Sequence, residues 1–231
     1  MSKEISICQI TPDPKKNIPK IIYMCHKSIK DITIYSKNWK TLNPEYEIRL
    51  YDDTHCQKFL REEISPELQE IFNYIPDGPI KADVWRICIL YRYGGIYVDA
   101  DIKPLVPLRD FLDENDDFVT CISNVEKPFR KSHILNPHFI ATYRGNPVLK
   151  KCIERYVDLY HHNRRYKYWK WSIVRMLQLD FVIVEKKDQI LIHEGDRYKF
   201  ILELPSMNDC KYGSKIVFQN RYDFYKDHNF H

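Results

Sequence analysis

The sequence predicts an α/β domain with a mainly parallel central sheet, and three observations carry that prediction. Short apolar, β-branched runs alternate with helical stretches through the first hundred residues, as βαβα units do. The first run, "KIIYMC" at 20–25, is apolar throughout rather than alternating, the pattern of a strand buried on both faces. The chain has 231 residues, 44% hydrophobic and 29% charged, which suffices for one core and excludes a disordered or collagen-like chain.

Each element follows from its local pattern. After a polar lead ending near Pro19, the strand 20–25 is followed by a helical stretch, "ITIYSKNWKTL", and a second strand, "YEIRLYDD". A mostly polar helical region spans about 54–74, and "IPDGP" at 75–79 breaks it. Residues 80–93, "IKADVWRICILYRY", form a helix apolar nearly all round, so it is buried on more than one side. The helix ends at Gly94. With only 6 glycines in the chain, the adjacent Gly94 and Gly95 answer a local backbone need. The strand "IYVDAD", a Pro-punctuated loop, the strand "DFVTCIS" and the apolar "ILNPHFIATY" come next. "NPVLKKCIERYVDLYHH" at 146–162 is an amphipathic helix, and the last quarter carries the β runs "FVIV", "ILIH", "FILEL" and "KIVFQ". No repeat or linker divides the chain, so 1–231 is read as one domain.

Composition excludes several function classes. Net charge is +4, from 36 basic and 32 acidic residues, too mild for a dedicated nucleic-acid binder. The seven cysteines are widely spaced with no C-x-x-C, so spacing suggests neither a disulfide framework nor a zinc site, and they read as buried small hydrophobes. The first twenty residues lack an apolar signal core, and no stretch is long and apolar enough for a membrane span. The chain is therefore expected to be soluble and cytoplasmic. Its richness in Lys, Ile, Asn and Tyr suggests an AT-rich genome, such as that of a bacterium or a large DNA virus.

Two stretches carry chemistry. In an extended strand side chains alternate, so Asp99 and Asp101 share one side about 7 Å apart, at the carboxyl end where α/β sheets bind ligands. Paired carboxylates suit a hard cation, Mn²⁺ or Mg²⁺, which shares its coordination with substrate phosphates. On the preceding helix, Asp83 and Arg86 are three residues apart and share a face. Charges on a buried helix are either paired with each other or turned toward a ligand. The sequence leaves both open.

"IPKIIYMCH", "NWKTLNPEYEIRLYDD" and "IKADVWRICILYRYGGIYVDADIKPL", in that order, resemble the DXD-containing family 32 glycosyltransferases. That family includes initiating α-1,6-mannosyltransferases and α-1,4-galactosyl- and N-acetylglucosaminyltransferases; a more distant likeness is to the catalytic domain of the large clostridial glucosylating toxins. The resemblance covers 18–108 and thins to "NPHFIATYRGNPVLKKCI" beyond it. It implies a GT-A type, Rossmann-like fold and retaining, metal-dependent transfer of a hexose from a UDP- or GDP-sugar to a glycan, protein or lipid acceptor. Residues 1–18 would be a lead, 18–108 the nucleotide-sugar and metal half, 109–219 the acceptor half and 220–231 a tail.

Carried over by position, Asp83 resembles the acid that grips donor-sugar hydroxyls and Arg86 the cation beside sugar and diphosphate. Asp99 resembles the ribose and metal-side acid, Asp101 the direct metal ligand and Tyr97 a donor-pocket wall. Tyr23, His26 and Asp52 fall in the donor-binding blocks. His26 stands where the family has tryptophan, and Tyr51 replaces another tryptophan. His228 in the tail is a candidate third metal ligand, with Asp227 and His231 behind it. The family's Gly-Pro element is missing, and "HHNRRYKYWKW" at 161–171 stands in its place. That segment suits packed aromatics among solvated bases, an acceptor groove, a nucleic-acid strand or an anionic membrane surface. No nucleic-acid partner is expected. A catalytically weak nucleotide-sugar or glycan-binding module would share all these features. A metal-dependent nucleotidyl- or phosphoryltransferase would share the paired acids but wants a Gly-rich phosphate cradle, which is missing.

Overall fold

The structure, a computed structural model, describes residues 8, 10–127, 130–162, 165–178, 184–186, 189–191, 197–204 and 209–219. The first half alternates as its sequence predicts: β1 (Ile21–Cys25), α1 (Ile29–Leu42), β2 (Glu47–Tyr51), α2 (Asp53–Phe59), a π-helical turn (Leu60–Ile64), α3 (Pro66–Tyr74), α4 (Gly78–Tyr93) and β3 (Gly95–Val98). The Ser65 hydroxyl accepts from Leu68 N–H, and Pro66 occupies the first turn of α3 where no N–H is needed. The second half adds β4 (Lys103–Pro104), a 3₁₀ turn (Leu108–Asp110), β5 (Phe118–Lys127), β6 (Arg130–Thr142), α5 (Pro147–His162), α6 (Tyr168–Trp171) and α7 (Ile173–Gln178). β7 (Val184–Lys186) and β8 (Gln189–Leu191) form a separate ribbon, and β9 (Tyr198–Glu203), β10 (Asp209–Tyr212) and β11 (Lys215–Gln219) complete the main sheet.

The main sheet runs β2-β1-β3-β6-β5-β9-β10-β11-β4 and is mixed, not mainly parallel. β1 pairs parallel with β2 and β3, and β5 with β9, while the other five pairings are antiparallel. The reason lies in the connections. Helices separate β1, β2 and β3 and return the chain to the same edge direction, whereas β5 follows directly into β6, as does β10 into β11. Apolar runs report burial and say nothing of strand direction.

Two cores cover the two faces. On one, α3, α4, α5 and α7 pack on Tyr23, Tyr97 and Phe118. On the other, Trp39 of α1 lies against Phe139 and Phe218 and donates its indole N–H to the carbonyl of Ile102 at 3.0 Å. Burial along α4 is continuous from Asp83 to Tyr91, as the all-round apolar pattern requires. Each large apolar side chain there contributes roughly 1.5–3 kcal/mol. Gly94 closes the helix with φ +68°, its N–H bonded to Leu90 at 2.7 Å, and Gly95 follows at φ +102°. A Cβ on Gly95 would lie 2.8 Å from the carbonyl oxygen of Ile21 in β1. Gly95→Ala should therefore lower stability by about 2–3 kcal/mol, read as a fall in the urea midpoint at unchanged m-value.

Candidate functional site

α4 delivers Asp83 and Arg86 from its buried face, three residues apart on neighbouring turns. Arg86 is the hub. Its Nη2 lies 3.2 Å from Asp83 Oδ1 and 3.0 Å from Asp99 Oδ1, and its Nη1 donates to the carbonyl of Pro137 at 2.7 Å. The guanidinium carbon sits 4.3 Å from the Tyr97 ring centroid, and Tyr97 Oη donates to Asp99 Oδ1 at 2.6 Å. The second oxygen of Asp83 accepts from the backbone N–H of Ile173, which begins α7, at 2.9 Å. Asp83 and Arg86 thus form the ion pair, and the same arginine reaches the D-x-D stretch.

Asp99 and Asp101 do not lie on a strand. β3 stops at Val98, and residues 99–102 turn, with Ile102 N–H bonded to the Asp99 carbonyl at 3.2 Å. The predicted alternation along an extended chain is replaced by a tight turn, because Ile102 must leave the sheet to enter the core beneath Trp39. A β-bulge in β6 anchors this turn. Thr120 pairs with Ile140 but Cys121 pairs with Asn136, so Pro137, His138 and Phe139 take up the extra length. The bulge turns the Pro137 carbonyl to Arg86 and the His138 carbonyl to Asp99 N–H, at 2.8 Å. Proline is tolerated there because the bulge needs no ladder donor.

Arg86, Tyr97, Asp99 and Asp101 line a cleft of about 490 Å³ together with His26, Lys27, Asp53 and Lys81, whereas Asp83 is not on its wall. The electrostatics are strained toward positive charge. Burial pushes the Asp83 carboxyl up to about 6 despite Arg86, and burial together with the charge of Asp99 pushes Asp101 up to about 6. Burial works against the Arg86 charge, but Asp99, Tyr97 and Asp83 overcome it and hold the guanidinium protonated. The one guanidinium is thus shared between two carboxylates, Asp83 and Asp99.

The other expected site residues fare differently. His26 lines the cleft, its Nδ1 accepting from Ser28 N–H at 3.1 Å. Tyr23 is fully buried in the helix-side core between Tyr51 and Arg49 and is not on the cleft wall. Asp52 caps α2, accepting from His55 N–H at 2.9 Å, and its neighbour Asp53 lines the cleft instead. His228, Asp227 and His231 lie outside the described residues. In the 161–171 segment Trp171 is buried against Tyr74, Tyr156 and Tyr166, whereas Trp169 is 76% exposed beside Tyr168.

One cluster has no counterpart in any sequence spacing. Cys121 of β5, His138 of the bulge and Cys210 of β10 are buried, with their ligating atoms within 4.8 Å of one another. The Cys210 thiol is held down at about 6, first by the hydrogen bond from Cys121 and then by His138. Burial pushes the Cys121 thiol up, and the hydrogen bond to Cys210 raises His138 against the opposing effect of burial. No described helix is long and apolar enough to cross a membrane.

Residues 30–118, which hold Asp83, Arg86, Tyr97, Asp99 and Asp101, match the model of the glycosyltransferase sugar-binding region containing DXD motif. This segment is similar to the sugar-binding region of the DXD glycosyltransferases. The initiation-specific α-1,6-mannosyltransferase of Candida albicans is 27% identical over 181 residues, covering 65% of this chain and 46% of that protein. Inositol phosphoceramide mannosyltransferase 3 of Schizosaccharomyces pombe is 36% identical over 100 residues, 41% of this chain and 28% of that one. The chain thus spans less than half the length of these DXD glycosyltransferase relatives. Among solved structures, PaToxG glycosyltransferase superposes with a TM-score of 0.52 at 19% identity, over 71% of this chain and 69% of that one, a likeness of fold.

Proposed function

We propose that the protein is a GT-A type, divalent-metal-dependent glycosyltransferase that moves a hexose from a UDP- or GDP-sugar to a hydroxyl acceptor with retention. The observation that supports this best is the convergence of Asp99 and Asp101 on one wall of the cleft beside Arg86, whose guanidinium is already shared between Asp83 and Asp99. The fit to a divalent cation is chemical as well as electrical. Among the described residues Asp99 commits only Oδ1 to Arg86 and Tyr97, and Asp101 is a carboxylate whose ionisation is opposed by burial and by the charge of Asp99, which a cation would offset. Asp99 and Asp101 would hold Mn²⁺ or Mg²⁺, which would offset the charge that builds as a nucleoside diphosphate departs.

The remaining steps belong to this chain's own side chains. Arg86, fixed by Pro137 and the two acids, presents a permanent donor to the cleft at the end where Asp99 and Asp101 lie, suited to the donor diphosphate. Asp83, engaged by Arg86 through Oδ1 and by Ile173 N–H through Oδ2, would meet the sugar hydroxyls from behind Arg86. His26 and Cys25 form the wall at the carboxyl end of β1, where nucleotides bind in α/β sheets. The names of the relatives favour mannose as the sugar. The acceptor side falls to α6 and α7, which reach the Asp83 and Arg86 pair through Ile173 N–H, with exposed Trp169 and Tyr168 offering ring faces to a glycan.

A thermal-shift screen of UDP, GDP, CDP and their hexose conjugates, each with Mn²⁺ and with EDTA, tests the reading. One nucleotide class should raise the melting temperature only with Mn²⁺, and its sugar conjugate should be turned over. No Mn²⁺-dependent shift with any of them would remove the donor assignment.

A further inference from the structure

We propose that the protein holds a second, chemically distinct cation in a buried Cys₂His site formed by Cys121, His138 and Cys210, and that this cation is a thiophilic divalent ion of the Zn²⁺ type. The site stands on geometry and is independent of the glycosyltransferase reading. Two thiols and an imidazole converge with their ligating atoms within 4.8 Å, all three buried. In a tetrahedral site, arms of about 2.3 Å to sulfur and 2.0–2.1 Å to nitrogen place S and N roughly 3.6 Å apart. Cys210 Sγ lies 3.6 Å from His138 Nε2.

A disulfide does not explain the pair of cysteines. β9 runs between β5 and β10, with Cys121 opposite Ile201 and Cys210 opposite Glu203. Neither forms a disulfide, and their thiols are hydrogen-bonded to one another instead. A bridging ion needs only that the thiols converge. Glu203, paired with Cys210 across β9 and β10, is an acid on the same face and is already oriented by Ser123 and by Asn136, whose Nδ2 lies 2.8 Å from Oε2. A ligand set rich in thiolate selects Zn²⁺ over Mn²⁺ and Mg²⁺, the reverse of the Asp99 and Asp101 pair. The two sites meet at the bulge: the side chain of His138 points to the thiols while its carbonyl holds Asp99 N–H. An ion at the cysteines would therefore fix the segment on which the D-x-D turn and Arg86 both hang.

The test is a Co²⁺ titration of the chelator-stripped, reduced full chain. One equivalent should produce the thiolate-to-cobalt charge-transfer band and strong d–d absorption of a four-coordinate site, resistant to excess Mn²⁺ and erased by one equivalent of Zn²⁺. Cys210→Ser and Cys121→Ser should each lose the band, whereas Asp101→Asn and Cys25→Ser should keep it. Absence of the band in the wild-type chain would overturn the proposal without recourse to any variant. So would a band that disappears in Cys25→Ser, which would place the thiolate on the cleft wall, or one that disappears in Asp101→Asn. If the band vanished only in the Cys121 and Cys210 variants, the donor screen could still fail without touching this site.

Discussion

Arg86→Met will lower the stability of the metal-free protein by about 3–5 kcal/mol at pH 8 and by distinctly less at pH 5. Methionine replaces the aliphatic stem without a large cavity, so the loss comes from Asp83 and Asp99, both left facing each other with no cation. Asp83 is buried and is already pushed up to about 6 with Arg86 beside it. Without the arginine its folded value rises further, while the unfolded value stays near 3.9. An acid whose folded pKa is raised costs stability in full above that pKa, and the cost fades as pH falls through it toward the unfolded value. Urea unfolding at the two pH values reads the difference. An equal loss at pH 8 and pH 5 would assign the effect to packing against Tyr97 rather than to orphaned carboxylates. Arg86→Lys keeps the charge but cannot reach Asp83, Asp99 and the Pro137 carbonyl together, so it should recover only part of the stability and little of the donor binding.

The helix that carries this hub was the most legible part of the sequence. An apolar run from Ala82 to Tyr91 with only Asp83 and Arg86 interrupting it states both that the helix is buried and that the two charges must find partners inside. The adjacent glycines were legible for a similar reason, since only glycine tolerates the turn at Gly94 and the approach of Gly95 to β1. Strand direction was not legible. "DFVTCIS" and "ILNPHFIATY" read equally well as parallel or antiparallel, and the decisive feature was the lack of a helical pattern between them. The same limit misplaced Asp99 and Asp101, because a strand pattern does not mark the residue at which pairing ends. Tyr23 falls in a matching block yet faces the helical layer, since neighbouring positions on a β-strand point to opposite faces. The cysteine and histidine cluster draws on β5, β6 and β10 through a bulge and a strand interleaved out of sequence order, so no spacing rule could have assembled it.

Asp101→Asn separates the two demands that the cleft makes on its residues. In the metal-free protein Asp101 is a cost, because burial and the neighbouring charge of Asp99 oppose its ionisation. Removing the charge should raise stability by on the order of 1–2 kcal/mol at pH 8, allowing for the part of the side chain that water still reaches. The gain should vanish below about pH 4, where the wild-type carboxyl is protonated in both the folded and the unfolded chain. The same substitution removes the charge that a divalent cation requires, so Mn²⁺ affinity should fall by more than about 100-fold and the Mn²⁺-dependent donor shift with it. In the wild-type chain Mn²⁺ binding should weaken as pH drops through 6, since the ion must displace the Asp101 proton. A more stable protein that no longer binds donor is the signature of a group kept for its ligand. A variant that binds Mn²⁺ and donor as well as the wild type would move the metal away from Asp101. A variant that unfolds more easily would show that this carboxylate has a stabilising partner in the free protein.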